Sequence, residues 1–345
     1  MSTYFFATFV AFLFNFALIV PFINFLYKKK FQRAIQKTKD IFNKPTPIFD
    51  KFHKSKAGTP VGGGILIVLT TVFLFIFFMI LFSFSDHDIS SNYASILSEI
   101  KIILFAFVGF AFLGAYDDLN KIFFWHKQQF FGLRFRHKLI LEIALALILG
   151  FLLFNDLHIH FIHIPFFGNY ELSYFYIIFS AFVITAFSNA VNVTDGLDGL
   201  ASGVLIFALS SFWIIARAPI LDVPTSFFIA AWLGGLIAFL YFNIYPARLF
   251  LGDAGSLSFG ATFAVIGLLL GKSFSLPIIG GIFVIEIATS LIQLLSKKYL
   301  KKKVFEVAPL HLLLQLKDWE EPKIVMRFWI ISLLFAIVGL MIAFL

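Results

Sequence analysis

The sequence contains no cysteine, so no disulfide framework can hold it together and thiolate-based metal sites are excluded. Charge is scarce as well. Asp, Glu, Lys and Arg make up 13% of the 345 residues, roughly half the usual share. No GxxxxGK[ST] run is present to serve a nucleoside-triphosphate-driven pump. Against these shortages stands a hydrophobic fraction of 60%, where soluble proteins have about 45–50%, and a mean hydropathy of +0.95. A soluble core of this size cannot hide that much apolar surface, and a disordered chain would not carry it. The composition therefore points to an all-α polytopic membrane protein. Its 51 phenylalanines fit AT-rich codon usage as well as any special packing demand.

A spanning helix needs about 20 mostly apolar residues. Ten stretches qualify: 4–27, 62–84, 101–116, 138–154, 172–191, 199–216, 226–243, 255–270, 275–296 and 327–345. No hydrophilic stretch is long enough to fold separately and no internal repeat is evident, so residues 1–345 read as one transmembrane domain. The first stretch has no basic residue before it and Lys28-Lys29-Lys30 after it, the pattern of an uncleaved anchor. Of the 27 lysines and arginines, Lys101, Arg217 and Lys272 fall on one side of the bundle. The other side takes the basic run from Lys28 to Lys56, then Lys121, Lys127, Arg134, Arg136, Lys138 and Arg248, and the group from Lys297 to Arg327. The positive-inside rule makes that side cytoplasmic and, with ten spans, puts both termini outside. The net charge of +8 reports these basic loops rather than a nucleic-acid footprint. Residues 154–171 read as an outer loop, either a short hairpin or an interfacial segment.

The polar signals gather on the basic side. Asp117-Asp118 end the third stretch in GAYDDLNK, Asp195 and Asp198 lie in NAVNVTDGLDGL, and Asp253 lies in FLGDAGS. Lys56 precedes the second stretch in KAGTPVGGG, and His311 sits in APLHLLLQ in the last basic loop. Each has a plain structural explanation: a solvated helix end for the paired aspartates, a turn for DGLDG, a helix cap by Asp253 or Ser256 for GDAGS, a packing role for His311. Their agreement on one face is better explained by a shared site, because a carboxylate inside a membrane costs about 2.5–3.5 kcal/mol on insertion scales. Clustered carboxylates without thiols suit magnesium, which takes oxygen ligands, keeps waters and bridges to substrate phosphates. Nearby lysines suit the remaining phosphate charge.

Four blocks in this order, GTPxxGG from Gly58 to Gly64, Asp117-Asp118, NAVNxTDGLDGLA from Asn189 to Ala201 and FNxYPAxxFxGDxGS from Phe242 to Ser256, resemble the polyprenyl-phosphate N-acetylhexosamine-1-phosphate transferases of glycosyltransferase family 4. The tail APLHLLLQLKDWEEPKIVMRFWIIS resembles the phospho-N-acetylmuramoyl-pentapeptide transferase branch. The resemblance runs from about residue 50 to the end. It implies a multi-pass protein of the bacterial cytoplasmic (inner) membrane, with its active site facing the cytoplasm. There UDP-N-acetylmuramoyl-pentapeptide and undecaprenyl phosphate would give lipid I and UMP, with Mg²⁺ as cofactor and a homodimer as the assembly. Carried over residue by residue, Asp253 coordinates the metal, Asp117 deprotonates or orients the lipid phosphate, and Asp118 supports both. Phe250 matches the uracil-stacking aromatic, with Lys56, Asp198 and Asn243 near the uracil and Asn192 and Asp195 on the ribose and phosphate side. Gln293 and His311 match the sugar-phosphate end, and Lys121 and Lys138 meet the incoming lipid phosphate.

Two positions depart from that pattern. The branch has three consecutive histidines where this sequence has His311-Leu312-Leu313, and Thr where Val61 stands. The departure keeps open a sister transferase that uses UDP-N-acetylglucosamine. A third reading is a transporter or non-catalytic lipid-carrier-binding protein. Transporters place ionisable groups near mid-membrane on repeated halves, whereas these carboxylates sit at one face.

Overall fold

The computed structural model describes residues 2–33, 54–84, 89–123 and 135–345, together with 46, 48, 50 and 52. Lys37, Lys39, Lys44, Lys51, Lys127 and Arg134 of the charge asymmetry lie outside the described residues. The chain runs through α1 (Ser2–Lys28), α2 (Gly63–Ser83), α3 (Ile96–Phe123) and α4 (Phe135–Leu157) to a hairpin of β1 (Phe161–Ile164) and β2 (Gly168–Glu171). It continues through α5 (Phe175–Thr194), α6 (Leu200–Ile215), α7 (Val223–Asn243), α8 (Asp253–Leu269), α9 (Leu276–Ile279), α10 (Gly281–Leu295), α11 (Leu310–Leu316) and α12 (Glu321–Ala343). Among the described residues eight helices are long and apolar enough to cross a membrane: α1 to α7, with α6 extended by its wide final turn, and α12. The fold is the expected all-α polytopic bundle; of the ten predicted spans, 255–270 is the shorter α8 and 275–296 is divided into α9 and α10, so neither counts among the eight.

Two elements differ from the sequence reading. The third span does not end at the aspartates: α3 continues to Phe123. Its polar end stays helical because Lys121 sits one turn beyond Asp117 and pairs with it at 3.1 Å. Asp117 and Asp118 are thus buried inside a helix. The stretch 275–296 is not continuous either, but breaks at Gly280 into α9 and α10. An added Cβ at Gly280 would lie 2.7 Å from the Phe187 ring, and one at Gly281 2.7 Å from Phe335. The hydropathy of the run carries no trace of this crowding. The outer loop takes the hairpin alternative, antiparallel from Phe161↔Glu171 to Ile164↔Gly168.

The centre of the bundle is α7 and α8. Every residue of α8 after Asp253 is buried, and nearly all of α7. Around them α1 and α2 pack on α7, α3 and α5 on α8, and α12 on α6. The Phe107 ring on α3 lies 5.1 Å from those of Phe228 and Trp232 and 5.7 Å from Phe259. Other phenylalanines, Phe9, Phe73 and Phe151 among them, are exposed on the outside of the helices. Between helices in lipid no hydrophobic drive operates, so small residues and shape decide how closely backbones meet. Gly114 of α3 shows this at the site. A Cβ there would lie 2.1 Å from the Asp253 carbonyl oxygen, so only glycine lets α3 meet the start of α8.

Candidate active site

The contact at Gly114 brings three carboxylates and two ammonium groups together. Lys121, on the last turn of α3, reaches Asp117 at 3.1 Å and Asp253 at 2.8 Å. Lys138, at the start of α4, reaches Asp117 at 3.2 Å and also pairs with Asp253. The same Oδ2 atoms of the two aspartates take both lysines. Asp118 points the other way, and its Oδ2 accepts the Ala254 N–H at 3.0 Å. The first turn of α8 is therefore capped from α3 rather than by Asp253 or Ser256. Gly252, at φ +79°, is required beside it, since a Cβ would sit 2.7 Å from Asp118 Oδ2. Three carboxylates face two ammonium groups, which leaves one formal negative charge in excess.

Around this cluster the other predicted residues fall into separate sets. Lys56 is not open to a ligand through its ammonium: its three donors meet Asp198 Oδ1 at 2.7 Å, Glu321 Oε1 at 2.6 Å and the Gly196 carbonyl at 3.3 Å. Asp198 uses its second oxygen on the Ala247 N–H at 2.9 Å. Asn243 is likewise engaged through both ends of its amide. Its Oδ1 accepts from the Gly199 N–H at 3.1 Å and Ser202 Oγ at 2.9 Å, and its Nδ2 donates to the Leu249 carbonyl at 2.9 Å. These three residues fix the 195–199 loop against the 244–252 loop. Asn192 differs, because its Nδ2 is buried without a hydrogen-bond partner and has donors to offer a ligand.

Phe250 is held by its backbone. Its N–H donates to the Pro60 carbonyl at 2.9 Å, and its carbonyl accepts from Gly62 at 3.2 Å and Gly63 at 2.9 Å. The Arg33 guanidinium carbon lies 5.7 Å above its ring. Burial pulls the Arg33 guanidinium below its ordinary value, and the charges of Asp195, Asp198 and Asp253 push it back. Asp195, at the C-terminal end of α5, is raised well above the usual carboxylate range, first by desolvation and then by Asp253, with Arg33 and Lys56 opposing.

His311 is buried, with its Nδ1 2.8 Å from Glu286 Oε2 and its backbone N–H donating to Glu286 Oε1 at 3.2 Å. Its other edge meets Gly196, where a Cβ would lie 2.3 Å from Nε2. His311 therefore touches the aspartate-bearing loop. Gln293 does not join it: its amide is spent on the Phe305 carbonyl at 2.6 Å and the Val304 and Phe305 N–H groups at 3.1 and 3.0 Å. Leu312 is buried, whereas Leu313 is half-buried.

Arg33, Glu286 and Glu321 escape the sequence reading. Glu286 had a signal, a lone carboxylate inside the apolar run GIFVIEIATSL. Glu321 and Arg33 had none beyond ordinary loop charge.

Chemically, the cluster offers oxygen donors on one side and ammonium groups on the other, at the polar end of an apolar bundle. Among the described residues no three His, Cys, Asp or Glu side chains form a metal cage by themselves. The donor set fits magnesium nonetheless, since this ion needs one or two carboxylates and completes its shell with water and phosphate oxygens. The cluster lies in the stretch, residues 100–271, that matches the family model described as "Glycosyl transferase family 4", and the protein is a transferase of that class with membrane-spanning helices.

Curated relatives narrow the class. The chain is 37% identical over 330 residues to the phospho-N-acetylmuramoyl-pentapeptide-transferase of Rickettsia canadensis (strain McKiel), covering 90% of this chain and 86% of the relative. It is 36% identical over 333 residues to that of Oceanobacillus iheyensis, covering 96% and 94%. The chain belongs to the phospho-N-acetylmuramoyl-pentapeptide-transferase family.

Proposed function

We propose that this protein transfers the phospho-N-acetylmuramoyl-pentapeptide group from UDP-N-acetylmuramoyl-pentapeptide to undecaprenyl phosphate at the cytoplasmic face of the bacterial inner membrane, giving lipid I and UMP. Family membership supports the reaction. The observation that carries the site is the sharing of Lys121 and Lys138 between Asp117 and Asp253, at the end of the bundle where soluble donor and lipid acceptor can meet.

An oxygen of the lipid phosphate attacks the phosphorus linked to the sugar. A new P–O bond forms there, the P–O bond to the uridine-linked phosphate breaks, and UMP leaves with the bridging oxygen. Catalysis of such a transfer is mostly positioning and charge neutralisation. Phe250 stacks on the uracil, and the unpartnered Asn192 amide donates to the ribose and phosphate side. Lys121 and Lys138 receive the lipid phosphate, oriented by the two aspartates that hold them. The acceptor already carries most of its charge near neutral pH, as phosphate monoesters have a second pKa of about 6, so Asp117 orients rather than deprotonates. Asp253, with Asp117 beside it, would hold Mg²⁺, which supplies charge neutralisation on the phosphates being exchanged. Lys56, Asp198 and Asn243 shape the nucleotide pocket by fixing its loops.

The test is release of UMP by purified protein supplied with the muramoyl donor, undecaprenyl phosphate and Mg²⁺. UMP appearing only when the lipid acceptor is present supports the reading; no UMP from folded protein overturns it.

A further inference from the structure

We infer that Arg33 is a further donor-binding residue, holding the phosphate of the uridine nucleotide between the Phe250 ring and the aspartate cluster. The inference rests on the proposed uridine-nucleotide reading and extends it to a segment that lies outside every motif of the site. Three observations on this residue converge.

Its backbone is locked. The Arg33 N–H donates to the Thr59 carbonyl at 3.0 Å, and its carbonyl accepts from Gly58 at 2.9 Å. Gln32 pairs with Pro60, and Val61 pairs in turn with Phe250. The segment from Phe31 to Arg33 is thus a rib of the same small ladder that presents Phe250. It is not a passing loop.

Its side chain is placed, and no ion pair joins it to another described residue. The guanidinium lies 5.7 Å over the Phe250 ring, near enough to Asp195, Asp198 and Asp253 to feel their charge. Yet among the described residues no carboxylate stands within ion-pair distance of it. The other cations here already have carboxylate partners: Lys56 pairs with Asp198 and Glu321, and Lys121 and Lys138, assigned above to the lipid phosphate, pair with Asp117 and Asp253. A half-buried guanidinium with no ion-paired carboxylate among the described residues is suited to an anion.

Its position selects the anion. Phe250 marks the base end of the nucleotide and Asp253 the phosphate end, and the Arg33 guanidinium lies over the Phe250 ring. A planar guanidinium pairs with phosphate through two parallel N–H···O bonds, a geometry that an ammonium does not reproduce.

The experiment measures UMP and uridine binding by calorimetry, with Mg²⁺ present, for the unaltered protein and for Arg33→Ala and Arg33→Lys. Arg33→Ala should weaken UMP binding roughly ten- to hundredfold, the range for a hydrogen bond to a charged group, while leaving uridine binding unchanged. Arg33→Lys should recover part of the loss. Intact uridine binding also reports that the pocket is folded. Equal loss of UMP and uridine would reduce Arg33 to a support of the ring and overturn the inference, and so would unchanged UMP binding. Tighter binding by Arg33→Ala would make the residue a cover displaced by the base, which also overturns it. If the unaltered protein bound neither UMP nor uridine, the nucleotide reading itself would fall and the inference with it.

Discussion

Asp117 on α3 and Asp253 at the first residue of α8 hold the same pair of ammonium groups, with Lys121 Nζ 3.1 Å from one and 2.8 Å from the other. Neither carboxylate is paired privately. Removing one therefore changes the charge seen by the other and the position of both lysines. In a site whose chemistry is charge placement, that coupling is the functional unit.

Asp253→Asn keeps the shape of the first turn of α8, whose cap comes from Asp118, while removing the charge that would hold magnesium. Turnover should fall by roughly 10²–10³-fold, the scale of losing one electrostatic element at a transition state. The thermal midpoint should change little by comparison. UMP release and thermal denaturation on the same preparation check this; unchanged turnover would remove Asp253 from the metal role.

Phe250→Ala should act on donor binding. Base stacking on an aromatic is worth about 1–3 kcal/mol by alanine substitution, so UMP and donor affinity should drop with a smaller effect on kcat. The backbone bonds of Phe250 to Pro60, Gly62 and Gly63 do not depend on its ring, which protects the fold in this variant. Donor affinity that stays put would place the uracil elsewhere.

Lys56 should prove costly to lose on stability as well as activity. Its ammonium joins Asp198 and Glu321, whose side chains are only 5% and 10% exposed. Breaking a buried ion pair from one side typically costs about 3–5 kcal/mol, because the other charge stays behind uncompensated. Lys56→Met should lower the denaturation midpoint, and adding Glu321→Gln should restore part of it. Equal midpoints for all three proteins would contradict the buried clasp.

The His311-Leu312-Leu313 departure can be read more sharply with the structure. Leu312 is 2% exposed, so an imidazole there would be buried without a partner and should destabilise the protein. Leu313 is half-buried and can carry a ring that reaches solvent. Leu313→His should raise turnover of the muramoyl donor, and Leu312→His should not. Glu286→Gln, which loosens the anchor of His311 Nδ1, should lower kcat more than it alters KM. Full activity in Glu286→Gln would make the His311–Glu286 pair a packing feature.

Much of this architecture was legible in the residues. Apolar length locates the spanning helices, because lipid leaves the backbone no alternative to internal hydrogen bonding, whereas the short α11 in the last basic loop went unread. What hydropathy cannot register is local and polar: the extension of α3 through Asp117, Asp118 and Lys121 depends on an ion pair, and the break at Gly280 depends on the Phe187 and Phe335 rings. At the site, the motifs name Asp117, Asp118 and Asp253 but not the contact at Gly114 that joins them. They also name Lys56 and Asn243 without showing that both are bonded to other parts of the protein. Arg33 was out of reach, since what singles it out is the ring it faces in the folded protein.

The central claim is that the aspartate–lysine cluster transfers the muramoyl-pentapeptide phosphate to a lipid phosphate. The most direct measurement compares UMP release from UDP-N-acetylmuramoyl-pentapeptide and from UDP-N-acetylglucosamine, each with undecaprenyl phosphate and Mg²⁺, using Asp253→Asn as control. The account predicts turnover of the muramoyl donor, little or none of the smaller one, and silence in Asp253→Asn. Turnover of UDP-N-acetylglucosamine alone, or equal activity in Asp253→Asn, would contradict it.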